Sequence, residues 1–204
     1  MTRQRLARGE GERLREEILE AAEKLLVKTG SEDEVSIRAV ADAVGVTAPS
    51  IYRHFEDKQA LIFEVCARHF QRMQEFIRAT AEASDDPIAG LEAMARAYVR
   101  FATENPEHYR IMFMGRSDHT PERYADAAIL QTGAFGDLAQ VVAGCMAAGR
   151  LRPDLPDATG VAYVLWAAIH GVVSLAVARP NMPGPSLEER VQAMLDVLLR
   201  GMLN

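Results

Sequence analysis

The sequence predicts an all-α protein of about nine helices, and three observations carry that expectation. Apolar residues recur at helical spacing through most of the 204 residues. Helix-capping residues followed by proline or closed by glycine punctuate the segments. No stretch alternates apolar and polar residues as a half-buried strand does, and no internal repeat is visible. Hydrophobic residues make up 49% and charged residues 25%, which is enough apolar material for a core of the ordinary globular kind.

Leu14, Ile18, Ala21, Ala22, Leu25 and Leu26 form the apolar face of a first helix, which Gly30 stops. Ser31 to Glu34 is an acidic loop. Ser36 caps a short second helix with Ile37, Val40, Ala41 and Val44 inward, and Gly45 breaks it. Thr47 caps a short third helix with Pro49 in its first turn, where a missing N–H does no harm. Asp57 caps a fourth, whose face is Leu61, Ile62, Val65, Phe70, Met73, Phe76 and Ile77. Beyond Ser84, Asp86-Pro87, Asn105-Pro106 and Thr120-Pro121 each open a helix, the last running to Gly149. Residues 158–178 follow after a turn. Ser186 and Glu189 set up a capping box for the final helix. The division expected is a helix-turn-helix domain over 1–60, with a basic N-terminal arm, and a helical domain over 61–204.

Overall charge argues mildly against nucleic acid, since the net is −6. Its distribution softens that: residues 1–15 hold Arg3, Arg5, Arg8, Arg13 and Arg15 against Glu10 and Glu12. Two cysteines, Cys66 and Cys145, are too few for a disulfide scaffold, so free buried thiols in a reducing cytoplasm are expected. No signal peptide is visible at the N-terminus. Gly160 to Ala178 carries no fixed charge, which is long enough for a membrane span. Tyr163, Trp166, His170 and Ser174 within it favour instead a helix packed on the core on one side and on a second subunit on the other, with no membrane involved.

Two short helices joined by a glycine-containing turn are helix-turn-helix grammar. Here the run Ser36-Ile37-Arg38-Ala39-Val40-Ala41-Asp42-Ala43-Val44-Gly45-Val46, then Thr47-Ala48-Pro49-Ser50-Ile51-Tyr52-Arg53-His54-Phe55, then Asp57-Lys58-Gln59-Ala60-Leu61, resembles the TetR/AcrR family of bacterial transcriptional regulators. The resemblance covers about residues 14–65. It implies that Tyr52, His54 and Lys58 grip phosphates, that Arg38 reaches a base edge, and that Ala48, Pro49 and Ser50 face bases. Ser36 and Thr47 stand at helix starts, where hydroxyl and backbone N–H point the same way. Arg53 lies in the same run, as a DNA contact or a solvated charge. Arg38, Arg53 and Lys58 only balance Asp42, Glu56 and Asp57, so the motif rather than the charge points to double-stranded DNA.

The same resemblance implies a C-terminal ligand-binding and dimerisation domain, a homodimer on a palindromic operator, and release by a small, hydrophobic effector. A repressor is expected, with activation as the alternative sign. Trp166-Ala167-Ala168-Ile169-His170-Gly171 is similar to a subgroup with a Trp-x-x-x-His-Gly signature. Met94, Tyr98, Phe101, Tyr109, Met112, Phe113, Phe135, Trp166 and His170 are the candidate pocket lining. Tyr163, Ala167, Val173, Val191, Leu195 and Leu198 are the candidate dimer interface. Arg96 and Arg100 fall on the polar face of their helix.

Catalysis and metal binding find little support in the sequence. Cys66-x-x-His69 offers two ligands on one turn, which do not make a zinc site, and His108 and His119 have no partner at ligand spacing. No phosphate loop, nucleophile elbow or carboxylate pair stands out, so neither an enzyme nor a cofactor is expected.

Overall fold

The structure is a computed structural model, and it describes residues 10–81, 86–114 and 133–204. Among the described residues there are nine helices and no strand. They are α1 (Glu10–Thr29), α2 (Ile37–Val44), α3 (Ala48–Ile51), α4 (Lys58–Ala81), α5 (Pro87–Glu104), α6 (Pro106–Phe113), α7 (Gly133–Ala147), α8 (Ala158–Ala178) and α9 (Leu187–Met202). The arginines of the basic arm before residue 10, His119, and the Thr120-Pro121 start expected for the seventh helix lie outside the described residues.

The chain divides into two compact units. Met1–His69 with Glu107–His119 forms the first, Phe70–Pro106 with Thr120–Asn204 the second. The border falls inside α4, where apolar positions run on without a break.

In the first unit, Ile18, Leu19, Ala22 and Leu26 of α1 are buried together with Val35, Ile37, Val40, Ile51, Phe55, Leu61, Ile62 and Val65. Ile111 of α6 joins this core. Asp57 caps α4, its Oδ1 accepting from the Ala60 amide at 2.6 Å. Cys66 is a free, buried thiol, and burial first, then the Glu32 carboxylate, pushes it up to about 12. At neutral pH it keeps its proton and packs as a small apolar group.

In the second unit α8 packs on α5, α7 and α9, and α5 packs on α7. Asp86 caps α5 by accepting from the Ile88 amide at 3.2 Å. Asn105 turns back onto α5, donating its side-chain N–H to the Phe101 carbonyl at 3.0 Å. The capping box of α9 is complete: the Glu189 amide donates to Ser186 Oγ at 3.2 Å and the Ser186 amide to Glu189 Oε2 at 2.7 Å. The last turn of the chain is tied back, with the Arg152 amide donating to the Met202 carbonyl at 2.9 Å. Among the described residues, α8 is the one helix long and apolar enough to cross a membrane, a test that the core helix of a soluble protein also passes.

Candidate nucleic-acid interface

The first unit builds its outward surface from α2, a tight turn and α3. Ser36 sits in extended backbone and its Oγ accepts from the Ala39 amide at 3.1 Å, so α2 starts where the sequence says. At the other end Gly45 takes φ 78°, and its amide donates to the Ala41 and Asp42 carbonyls. The Val46 amide also reaches the Ala41 carbonyl, at 2.9 Å. This left-handed residue turns the chain at once into α3, and glycine takes that conformation without the Cβ penalty.

Thr47 departs from the expectation. It occupies the N-cap position of α3, but its side chain accepts no backbone N–H. The reason is local. Pro49 has no N–H to give, and the Ser50 amide already donates to the Thr47 carbonyl at 2.8 Å. The Thr47 hydroxyl lies instead 3.1 Å from the Ser50 hydroxyl. The cap is supplied by the backbone and the two hydroxyls hold each other.

Helix α3 is one turn long. Ile51 and Phe55 face inward, with Ile51 wholly buried, and between them Tyr52 and Arg53 point out. Tyr52 is 54% exposed, too open for a core tyrosine. Arg38, Ser36 and Pro49 are exposed as well, while Ala48 and Ser50 are half-buried. His54 is half-buried, and burial first, then the Arg53 and Arg15 cations, holds its pKa below the usual histidine value. Arg15 lies over the Phe55 ring at 5.1 Å and pairs with Glu64. Lys58 is half-buried, its Nζ donating to the Glu32 carbonyl at 2.7 Å, so this cation helps close the acidic loop onto the start of α4.

The second unit holds most of the residues expected to meet an effector. Met94, Tyr98 and Phe101 are buried on α5. The rings of Phe135, Tyr163, Trp166 and His170 run in series, with centroids 6.3 Å apart for Phe135 and Tyr163, 5.8 Å for Tyr163 and Trp166, and 5.4 Å for Trp166 and His170. Burial holds the His170 pKa below its usual value. Arg96 and Arg100 are exposed, as their helix face implied, with Arg100 over the Phe76 ring at 4.3 Å. Tyr109, Met112 and Phe113 belong to the first unit. There Tyr109 is wholly buried, 4.9 Å from the Phe113 ring.

The residues expected at a dimer interface need correction. Val173, Val191 and Leu195 are 0%, 3% and 3% exposed, so they pack within the chain and cannot present an outer face. The stripe along α9 that the sequence shows is the stripe that meets α8. Tyr163 and Ala167 are exposed, and Leu198 is half-buried. The open apolar positions beside them are Val164, Leu175 and Val197, the last 72% exposed. Sequence reasoning missed Val164 and Leu175 because α8 is apolar on every side, so no polar face shows in the sequence which side packs inward.

One grouping on the first unit had no signal in the sequence. Glu23 of α1, His69 of α4 and His108 of α6 come together, with one ligand atom from each lying within 4.8 Å of the others.

A three-helix head with a glycine turn, an outward Tyr52 and a capped α2 defines a helix-turn-helix DNA-binding protein. The family described as bacterial regulatory proteins, tetR family, matches residues 18–65. The family described as tetracyclin repressor-like, C-terminal domain, matches residues 91–198. The chain therefore belongs to the TetR family of transcriptional regulators.

Named relatives agree. A probable acrEF/envCD operon repressor of Escherichia coli is 25% identical over 95% of this chain and 88% of its own. The HTH-type transcriptional activator FasR of Mycolicibacterium smegmatis is 28% identical over 56% of this chain, a match spanning about half (51%) of that relative. Among solved structures, a protein of unknown function from Rhodococcus sp. RHA1 superposes with a TM-score of 0.77 at 29% identity, covering 99% of this chain and 100% of that one. A tetR family regulator from Shewanella sp. PV-4 superposes with a TM-score of 0.70 at 19% identity, over 94% and 98%.

Proposed function

We propose that this regulator is a ligand-responsive repressor that binds a palindromic operator as a homodimer in the cytoplasm and is released by a small hydrophobic effector. The observation that carries the reading is the outward set Arg38, Pro49, Tyr52 and Arg53 around a one-turn recognition helix. A single turn reaches few base pairs, so useful affinity calls for two heads on two half-sites. The exposed apolar side chains Tyr163, Val164 and Leu175 on α8 and Val197 on α9 favour this part of the second unit as the surface that meets a second copy. In an isologous contact each copy offers the same patch, which makes the operator symmetric.

The buried apolar residues Met94, Tyr98 and Phe101, with the ring series ending at His170, favour a mostly hydrophobic effector oriented by one or two polar groups. The repressor sign is supported by the relative named as an operon repressor. FasR is named an activator, and this favours the opposite sign as the second reading. Footprinting on the DNA flanking the protein's own gene tests the proposal. Two symmetric protected half-sites, with rising transcription from that DNA when the protein is removed, are expected. No symmetric protection at low salt overturns operator binding, and falling transcription on removal overturns the repressor sign alone.

A further inference from the structure

We propose that Glu23, His69 and His108 form a binding site for a divalent transition ion of the Zn2+ class, built into the first unit away from α2 and α3. Both imidazoles aim Nε2 at one carboxylate oxygen: Glu23 Oε1 is 3.8 Å from His69 Nε2 and 3.7 Å from His108 Nε2. Those separations are longer than a direct hydrogen bond, which closes at about 2.7–3.2 Å. They approach the ligand-to-ligand distance of about 3.3 Å that a tetrahedral site with bonds of about 2.0–2.1 Å requires. Small side-chain rotations bring the three atoms onto one ion.

The donor set fits that ion. Two imidazoles and one carboxylate are borderline ligands that suit Zn2+ and its neighbours, whereas Mg2+ and Ca2+ prefer all-oxygen sites. Three protein ligands leave the fourth position to water. The rings lie with centroids 4.3 Å apart and tilted by 35°, so both can turn towards a common point. Access is graded: the His69 side chain is 2% exposed, Glu23 16% and His108 27%. The site is closed at its floor on α4 and open at the α6 side, which gives an ion a way in. Bound metal would pin α1, α4 and α6 together without a disulfide.

The test is titration of chelator-stripped full-length protein with Co2+ alone, followed by displacement with Zn2+. The expected result is one Co2+ per chain with the visible absorption of a four-coordinate ion, lost on adding Zn2+. His108→Ala and Glu23→Gln, both at partly open positions, should each weaken binding by at least about tenfold, the least that disturbing a metal site costs. His54→Ala, away from the cluster, should leave binding unchanged. Zn2+ should raise the melting temperature of the wild type and not of Glu23→Gln. No visible absorption, or equal affinity and equal melting shifts in the wild type and both variants, overturns the site. A cluster that holds only a proton gives that second outcome.

Discussion

The phenol oxygen of Tyr98 on α5 lies 2.8 Å from Nδ1 of His170 on α8, and this hydrogen bond joins two helices of the second unit. The other ring nitrogen, Nε2, lies 3.2 Å from the Ser174 hydroxyl one turn along α8. A histidine held at both nitrogens between two hydroxyls is fixed in orientation. It can still exchange either partner for a ligand group.

His170 sets a pH dependence. Its pKa in the folded protein lies below 6.5 because burial penalises the charged ring. The unfolded chain therefore binds more protons between that depressed value and about 6.5, and stability rises with pH across the interval. We expect full stability above about pH 6.5 and a loss as pH falls through that window. His170→Gln, which keeps hydrogen-bonding capacity and does not titrate, should show a smaller fall in melting temperature between about pH 7.5 and pH 5. An equal fall in both proteins would place the acid sensitivity elsewhere, with His54 the next group to examine.

Gly45 should tolerate no side chain, although space is not the reason. A Cβ there would meet nothing within 4 Å, yet φ is +78°. Gly45→Ala is expected to cost about 1–2 kcal/mol through backbone conformation alone. Chemical denaturation measures it. A neutral result would mean that the turn relaxes without loss.

Ser36 and Lys58 separate folding from contact. Ser36→Ala removes an N-cap and should destabilise the protein by about 1 kcal/mol even without DNA. Lys58→Ala removes the bond to the Glu32 carbonyl, so its loss of DNA binding should be accompanied by a lower melting temperature. Unchanged melting with weaker binding would return Lys58 to a pure phosphate contact.

Arg38 and Tyr52 are the cleaner probes of DNA, since both are exposed. Tyr52→Ala should weaken binding to specific and random sequences alike. Arg38→Ala should in addition relax preference at one base pair by about 1–3 kcal/mol. Competition gel shifts with single-base operator variants distinguish the two, and equal losses on all DNA for both variants would remove Arg38 from base reading.

Val197→Asp places a charge on an open apolar position of α9. It should shift sedimentation from dimer to monomer and weaken operator binding, while leaving the helical circular dichroism intact. An unchanged mass moves the self-contact elsewhere.

Much of the fold was legible because each helix announces its ends. Asp57, Asp86 and Ser186 cap where their sequences say, and the apolar spacing of α1 and α4 selects the buried face. What stayed hidden depended on three-dimensional neighbours. The hydroxyl of Thr47 failed as a cap only because Pro49 and Ser50 left it no amide. In the sequence the buried side of α9 cannot be told from an outer one, so Val191 and Leu195 look like interface positions there although both are buried within the chain. The cluster of Glu23, His69 and His108 draws on three helices far apart in sequence, where spacing carries no signal.

The Thr47–Ser50 hydroxyl pair changes what those two side chains can contribute on DNA. In the unbound protein each already has a partner at 3.1 Å, so meeting a phosphate or a base is an exchange of one hydrogen bond for another. The net gain in affinity is small. The loss on a wrong sequence is larger, since a hydroxyl pulled from its mate and buried against a group that cannot answer it is left unsatisfied. If these two residues meet DNA as proposed, they should reject mismatched sites more than hold correct ones.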